Sequence, residues 1–405
     1  MEKRTHDLTS LLHPISLQTF LSTYWEKSLL FVQRGNAGYY EDLLTDQILE
    51  DFVSSSDARY PAIMLAKDGV YYPRQAYCED IKIGHVIFSG VPNLKRLSAE
   101  YAKGATIALT SLDRSWRPLG DLCIRLEQQL DHGINTNVYI TAGETLGFPP
   151  HYDTHDILVL QIAGKKLWNV YEPTIKLPDV TQACDPKGYS PGPRITEIEL
   201  HAGDLLYLPR GFGHAAATSD SHSAHVTVGI HVYTWAGVLK EFDPSCIRTQ
   251  EFRAALPPGF ASNVELRPAM KQQLKRMAPG TFTDAEADRV LDSIVRNANQ
   301  SRRRVPGRFR ADAVVISMNS QLETPPGHRY HFSRQIDERG NTGQPTLEFD
   351  GNKFSFPAQL EAVLSAMISR GSFRLKDLPG SLNSEALVNL AGYLQTIGFL
   401  SSNVH

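Results

Sequence analysis

One short motif in the sequence has the residue types and spacing of a metal site. His151 and Asp153 are separated by a single residue in Pro149-Pro150-His151-Tyr152-Asp153, which directly precedes a long apolar segment. In extended chain, residues i and i+2 lie on the same side, so this imidazole and this carboxylate are predicted to face one cavity. One histidine and one carboxylate are two of the three protein ligands of a facial triad, which is typical of non-haem Fe(II).

The third ligand is predicted to be a histidine that enters from another strand. His214 is the candidate, because it ends the segment 203–214 (GDLLYLPRGFGH), where an apolar strand meets a turn rich in Pro and Gly. An H-x-D motif alone occurs by chance in many chains, but its combination with His214 in an all-β region indicates a metal centre. His155 is in phase with Asp153, so three roles stay open for it: a ligand in a competing set, a residue that contacts a ligand, and a residue that faces the substrate. His225 and His231 are further candidates to face the cavity.

The elements that would position these ligands are short strands. Turn residues such as Gly143, Gly164 and Pro173 separate apolar runs that recur through the segment 137–235, at residues 138–140, 157–162, 167–171, 205–208 and 226–232. Many short strands with this punctuation predict an antiparallel barrel or a double-sheet jelly roll.

The rest of the chain is predicted to be mainly helical. Thr283 and Glu286 form a capping-box signature before an apolar stripe that extends to residue 295. Residues 301–310 contain five arginines and no acidic residue, which indicates a linker. Residues 311–405 combine a hairpin candidate, LEFDGNKFSF, with two helical runs, and this combination predicts a winged-helix-like module.

Composition narrows the class of protein. The chain has 405 residues, of which 41% are hydrophobic and 21% charged, so wholesale disorder is excluded. The formal net charge of -3 argues against a surface that binds nucleic acid throughout. The four cysteines form no C-x-x-C pair, which is typical of a reducing compartment. No signal peptide or membrane-spanning run is apparent, so a cytoplasmic protein is expected.

Three segments carry a resemblance to a known family. Residues 137–173, 203–219 and 225–235 resemble the JmjC-type ribosomal oxygenases, and the segment 24–35 (YWEKSLLFVQRG) resembles that family's entry into its barrel. The resemblance implies an α+β chain in which a double-stranded β-helix (a jelly-roll or cupin barrel) precedes a helical dimerisation region and a winged-helix-like domain. The corresponding predicted boundaries are 1–235, 236–305 and 306–405.

The resemblance also implies roles for particular residues. His151, Asp153 and His214 would hold Fe(II), while the 2-oxoglutarate pocket would be formed by four residues, namely Lys166, Asn137, Tyr139 and Thr227. Lys166 matches the basic residue that binds the distal carboxylate, and a dicarboxylate needs a buried cation opposite it. Some bacterial members have arginine at this position.

Neighbouring residues are expected to have other roles. Lys165 should face away from the pocket if the strand is regular, and Trp168 and Tyr171 are expected to pack in the barrel. Thr154-His155-Asp156 departs from the acidic pair that is common in eukaryotic relatives, which leaves the choice of substrate open.

The implied activity is hydroxylation of an arginine or histidine side chain in a ribosomal protein or another polypeptide, using Fe(II), 2-oxoglutarate and O2. Three alternatives stay open: a demethylase acting on Nε-methyl-lysine, a hydroxylase of a biosynthetic peptide, and an iron cupin that does not use 2-oxoglutarate. A homodimer is expected from the resemblance. Direct DNA binding is not expected because residues 311–405 are mildly acidic, although Arg302–Arg310 could contact RNA.

Overall fold

The structure is a computed structural model. It describes residues 5–55, 58–143, 148–218, 222–240, 246, 248–278, 280–300, 316–324, 330–336, 342–349, 352–380 and 382–402. The chain divides into two compact units, Met1–Ala278 and Pro279–His405.

The first unit contains thirteen strands and eight α-helices in its described part. The strands are β1 (Leu30–Val32), β2 (Ile63–Lys67), β3 (Val70–Tyr71), β4 (Cys78–Ile83), β5 (Val86–Pro92), β6 (Thr106–Leu109), β7 (Gly133–Thr141), β8 (Asp156–Ala163), β9 (Lys165–Tyr171), β10 (Arg194–His201), β11 (Leu205–Leu208), β12 (Gly213–Ala217) and β13 (Ser223–His231). The helices are α1 (Leu8–Leu12), α2 (Leu17–Thr19), α3 (Asp46–Ser55), α4 (Leu94–Ala102), α5 (Arg117–Leu130), α6 (Trp235–Leu239), α7 (Gln250–Arg253) and α8 (Arg267–Met277).

Two antiparallel sheets organise this unit. The larger sheet has eight strands in the order β1-β11-β8-β13-β7-β6-β2-β3, and the smaller has the order β10-β9-β12. Strands β4 and β5 form a separate hairpin. The predicted double-sheet jelly roll is therefore confirmed, with the large sheet extended by strands from the first 110 residues.

Strand β8 contributes side chains to two apolar clusters, one on each of its faces. Its residues Ile157 and Val159 pack into a cluster with side chains of β9, β10 and β11. The alternate residues Leu158 and Leu160 pack into a larger core that includes helix α5. Because both faces of the strand are buried, residues 157–160 are all apolar rather than alternating.

The second unit contains α9 (Asp284–Gln300), α10 (Glu361–Arg370) and α11 (Ser384–Thr396), with strands β14 (Gln321–Glu323), β15 (Tyr330–Ile336), β16 (Thr342–Phe349), β17 (Asn352–Ser355), β18 (Ser372–Arg374) and β19 (Ser401–Ser402). Its strands form two sheets, in the orders β18-β14-β19 and β15-β16-β17. A separate apolar core contains residues of α10, α11 and both sheets.

Local predictions in this unit are confirmed. The Thr283 hydroxyl accepts a hydrogen bond from the Glu286 N–H (3.3 Å), while the Glu286 carboxylate accepts one from the Thr283 N–H (2.8 Å), so the capping box precedes α9. Strands β16 and β17 form the predicted hairpin. The turn Asp350-Gly351 and the arginine-rich segment 301–310 lie outside the described residues. The winged-helix and dimerisation assignments, and the boundaries at residues 235 and 305, stay predictions.

No helix in the described ranges is both long enough and apolar enough to cross a membrane.

Candidate metal centre

His151 and His214 are brought together by a two-residue backbone bridge. The His151 N–H donates to the His214 carbonyl at 3.1 Å, and the His214 N–H donates to the His151 carbonyl at 2.8 Å. His214 lies in β12, whereas His151 precedes β8, which begins only at Asp156. The predicted strand through the H-x-D motif is thus reduced to this bridge, since Pro149 and Pro150 have no N–H with which to extend a ladder.

The three predicted ligands form one cluster. A potential ligand atom from each of His151, Asp153 and His214 lies within 4.8 Å of the other two. The His214 Nε2 is 3.7 Å from the Asp153 Oδ2, and the two imidazole centroids are 4.4 Å apart. His155 is not part of this cluster.

Backbone carbonyls orient both imidazoles. The His151 Nδ1 is 2.8 Å from the Pro149 oxygen, and the His214 Nδ1 is 3.1 Å from the Phe212 oxygen. Because a carbonyl only accepts, each Nδ1 carries the proton and each Nε2 is left with its lone pair. Two such imidazoles and one carboxylate make up the donor set of a facial triad, so these residues fit Fe(II).

Burial favours the protonation states that metal binding needs. Burial, with a further contribution from His151, lowers the pKa of His214 to about 4, so its imidazole is neutral. Burial alone raises the pKa of Asp153, but the imidazoles of His155 and His214 oppose it, and the pKa ends below its ordinary value. The carboxylate is therefore ionised at neutral pH.

Lys166 is a buried cation next to this cluster. Its side chain extends from β9 and is 4% exposed, and its Nζ donates to the Thr141 hydroxyl at 3.1 Å. Within the described ranges, no carboxylate lies within 4.0 Å of the Nζ. Burial lowers the pKa of Lys166 to about 7. The neighbouring Lys165 lies near Glu199 (3.9 Å), and its side chain is partly exposed, in agreement with the predicted alternation.

The predicted ligand and pocket residues surround one cavity of about 110 Å³. All seven line it: His151, Asp153, His214, Lys166, Asn137, Tyr139 and Thr227. Strands β7 and β13 are paired so that Asn137 lies opposite Thr227, and Tyr139 lies opposite His225. The cavity therefore contains both the metal cluster and the buried Lys166 side chain.

Tyr139 and Asn137 line the same cavity as Lys166. The Asn137 Oδ1 accepts the Ser111 N–H at 3.0 Å, which fixes the amide. The Tyr139 ring is stacked on His225, with centroids 5.2 Å apart. Burial raises the pKa of Tyr139 far above its usual value, so its hydroxyl stays a hydrogen-bond donor.

Two further residues line the pocket, Trp168 and His225, and a third, Thr141, contacts Lys166; of these, the sequence predicted a position facing the cavity only for His225, as one candidate. Thr141 holds Lys166, and it continues the alternation of Asn137 and Tyr139 on β7, which was a usable signal. Trp168 was expected only to pack, yet it lines the cavity and its indole N–H has no partner in the described part of the chain. The His225 Nδ1 is likewise buried without a partner there.

His155 and His231 form a pair beside the cluster. Their rings are stacked with centroids 4.7 Å apart, and the His231 Nε2 lies 2.8 Å from the Asn135 Oδ1. His155 also lines the cavity. Its position next to the ligands, outside the cluster itself, favours a substrate-facing role.

Comparison with known proteins agrees with the site. Residues 113–238 match the JmjC domain family. The bifunctional lysine-specific demethylase and histidyl-hydroxylase NO66 of Drosophila persimilis is 30% identical over 322 residues, which are 72% of this chain and 43% of that protein. Ribosomal oxygenase 1 of Gallus gallus is 30% identical over 261 residues, which are 61% of this chain and 41% of that protein. The chain thus spans less than half the length of these relatives.

A solved structure shows the same fold. The X-ray structure of Escherichia coli YcfD superimposes with a TM-score of 0.52 at 15% identity, covering 96% of this chain and 98% of that one. Fold, site and family match together define a JmjC-domain protein of the 2-oxoglutarate-dependent oxygenases. Within that class, the chain is similar to proteins named ribosomal oxygenases.

Proposed function

We propose that this protein uses Fe(II), 2-oxoglutarate and O2 to hydroxylate a side chain, arginine or histidine, of a ribosomal protein or another polypeptide. One observation carries the proposal: the cluster of His151, Asp153 and His214 shares its cavity with Lys166, a buried cation without a carboxylate partner in the described part of the chain. A metal cluster alone would equally fit a cupin that does not use 2-oxoglutarate. The buried cation is what a dicarboxylate requires.

Each residue of the cavity then has a defined task. When bound, Fe(II) with 2-oxoglutarate and O2 supplies the oxidising power to hydroxylate a C–H bond, with succinate and CO2 as products. Lys166 binds the distal carboxylate of 2-oxoglutarate, and Thr141 orients the ammonium group. Tyr139 and Thr227 add hydroxyl donors to the same pocket. The protein supplies position and exclusion of water rather than a nucleophile or a general base.

The names of the relatives support a protein substrate. One is named a histidyl-hydroxylase and another a ribosomal oxygenase. An Escherichia coli ribosomal oxygenase of the same fold has been solved with cobalt and 2-oxoglutarate, the pair that fits the residues here. Comparative mass spectrometry of ribosomal proteins from cells with and without the gene tests this directly. We expect one peptide to differ by a single oxygen atom, and identical spectra would remove the ribosomal substrate.

A purified assay tests the co-substrate. We expect succinate formation that requires both added Fe(II) and 2-oxoglutarate. The Lys166→Ala variant should need far more 2-oxoglutarate, whereas the Lys165→Ala variant, altered on the exposed face, should behave as wild type. Unchanged succinate formation in Lys166→Ala would show that this lysine does not bind the co-substrate. Absence of succinate formation in the wild type would favour an iron cupin that does not use 2-oxoglutarate.

Demethylation is the second candidate, because the Drosophila relative is also named a lysine-specific demethylase. The same chemistry on an Nε-methyl group releases formaldehyde, whereas hydroxylation leaves the oxygen on the product. Formaldehyde release from a trimethyl-lysine peptide at a rate matching succinate formation would support this candidate. A product that retains one added oxygen would support hydroxylation.

We further propose that the chain is organised as a catalytic domain (1–235), a helical dimerisation region (236–305) and a winged-helix-like domain (306–405), and that it acts as a cytoplasmic homodimer. The support is the family resemblance, together with the helices α8 and α9 in the middle segment. The excess of acidic residues after residue 310 supports protein recognition rather than DNA binding. Light scattering that gives a monomeric mass would remove the dimer.

A further inference from the structure

A charge network formed by Arg210, Asp156 and the largely buried Glu26 lies close in sequence to two of the metal-cluster residues. The Arg210 side chain is 1% exposed, and its Nη1 lies 2.5 Å from the Glu26 Oε1 and 3.1 Å from the Asp156 Oδ1. Its Nη2 donates to the Arg253 carbonyl at 2.7 Å. The Arg210 guanidinium thus joins three separate segments of the chain. These are the segment before β1, which contains Glu26, the start of β8 at Asp156, and the end of α7 at Arg253.

The two acidic groups in this network have further partners. The Asp156 Oδ2 accepts the Tyr207 hydroxyl at 2.6 Å, and the Tyr207 oxygen accepts the Glu26 N–H at 2.9 Å. The Glu26 carboxylate also accepts the Ala255 N–H at 2.9 Å. The side chains of Arg210 and Asp156, and residues Glu26 and Tyr207, are therefore each bonded to at least two other members, which is the condition under which buried charges are tolerated.

The network lies between the two segments that carry the metal ligands. Asp156 follows Asp153 by three residues, and Arg210 precedes His214 by four. The Arg210 N–H also donates to the Asp156 Oδ1 (3.1 Å), and the next N–H, that of Gly211, donates to the Asp153 carbonyl (3.0 Å). The loop before β12 is thereby tied to the chain around Asp153 at two successive peptide groups.

A buried ion pair is a poor source of net stability, because desolvation offsets most of the attraction. What such a network does provide is a single defined geometry, because a planar guanidinium satisfies its partners in only one arrangement. Here that geometry fixes the segments that carry Asp153 and His214. Neither Arg210 nor Asp156 reaches the metal cluster itself.

We propose that Arg210, held by Asp156 and Glu26, is a positioning residue that sets the placement of Asp153 relative to His214 and so the affinity and geometry of the metal site. The proposal rests on the metal site of the proposed function. Groups that orient ligands in this way typically change metal affinity by roughly 10–100-fold when removed.

Cobalt titration of the metal-free full-length chain tests the proposal, with the visible absorption of Co(II) reporting coordination geometry. We expect Arg210→Met and Arg210→Lys to bind Co(II) at least about tenfold more weakly than wild type, with an altered absorption band. Lysine keeps the charge but cannot contact Glu26, Asp156 and the Arg253 carbonyl together. Asp156→Asn serves as a third variant if Arg210→Met does not fold.

A matched control separates positioning from general loss of stability. Leu126→Ala removes a buried side chain on α5, away from the network, and its denaturation midpoint can be compared with that of Arg210→Lys. We expect Leu126→Ala to keep wild-type cobalt affinity and spectrum. Wild-type affinity and spectrum in Arg210→Lys and Asp156→Asn would overturn the proposal, as would equal weakening in Leu126→Ala. Failure of the wild-type protein to bind Co(II) would instead refute the proposed metal site.

Discussion

Replacing Lys166 with methionine should make the metal-free protein more stable while abolishing its stabilisation by 2-oxoglutarate. Burial lowers the pKa of Lys166 from 10.5 to about 7. At ~1.4 kcal/mol per pH unit, this difference corresponds to a cost on the order of 5 kcal/mol for keeping the side chain charged in the folded state. Methionine has a similar length and carries no charge, so the variant avoids this cost.

The expected gain is smaller than the full cost. The variant loses the hydrogen bond from the Lys166 Nζ to Thr141, worth about 1 kcal/mol, although Thr141 keeps its contact with the Thr106 hydroxyl (3.2 Å). A gain of about 4 kcal/mol therefore remains at pH 6. Because the folded pKa lies below the unfolded one, the wild-type penalty is complete below pH 7 and is relieved as pH rises towards 10.5. At pH 9 the advantage of the variant should shrink to about 1 kcal/mol.

Urea denaturation of the metal-free proteins at pH 6 and pH 9 measures this difference, with Lys165→Met as the matched control on the exposed face of the same strand. Lys165→Met should change the free energy of unfolding little at either pH. In addition, 2-oxoglutarate added to the metal-loaded proteins should raise the melting temperature of the wild type further but not that of Lys166→Met. A Lys166→Met variant that is less stable than wild type at pH 6 would refute the reasoning, because the lysine would then be a structural group.

Three further outcomes are expected. The apparent KM for 2-oxoglutarate should rise roughly tenfold between pH 6 and pH 8, because only protonated Lys166 binds the dicarboxylate and its pKa is about 7. A KM that does not change with pH in initial-rate assays would contradict this. Tyr139→Phe should raise the same KM about fivefold with little change in melting temperature, as expected for one lost hydrogen bond, and an unchanged KM would place the hydroxyl outside the binding site. Gly164→Ala should unfold at clearly lower urea concentration, because the glycine has φ +62° and an added Cβ would lie 1.9 Å from the His222 carbonyl oxygen. A urea midpoint equal to that of the wild type would show that the turn rearranges.

The cluster of His151, Asp153 and His214 could be predicted because each of these candidate ligands lies in a distinctive local pattern. His151 and Asp153 share one five-residue motif, and His214 follows a strand and a turn rich in Pro and Gly. The alternation rule placed Lys166 inward and Lys165 outward correctly, since β9 is regular. The same rule overextended the strand at the H-x-D motif, because two prolines interrupt the ladder just before it.

Features that depend on distant pairing could not be read from local pattern. Strand β1 pairs with β11, and Glu26 meets Arg210 across more than 180 positions of sequence. Trp168 looked like barrel packing because a tryptophan in an apolar strand is usually core. Only the folded arrangement of the strands shows that its side chain lines the cavity.

The central claim is that this cavity couples 2-oxoglutarate oxidation to insertion of oxygen into a polypeptide. The most direct measurement is mass spectrometry after incubation of the purified protein with Fe(II), 2-oxoglutarate, ribosomal proteins and isotope-labelled O2. The account predicts one labelled oxygen atom in succinate and one in a single side chain of one protein, with both lost in the Asp153→Ala variant. Label in neither product, or labelling that persists in Asp153→Ala, would contradict it.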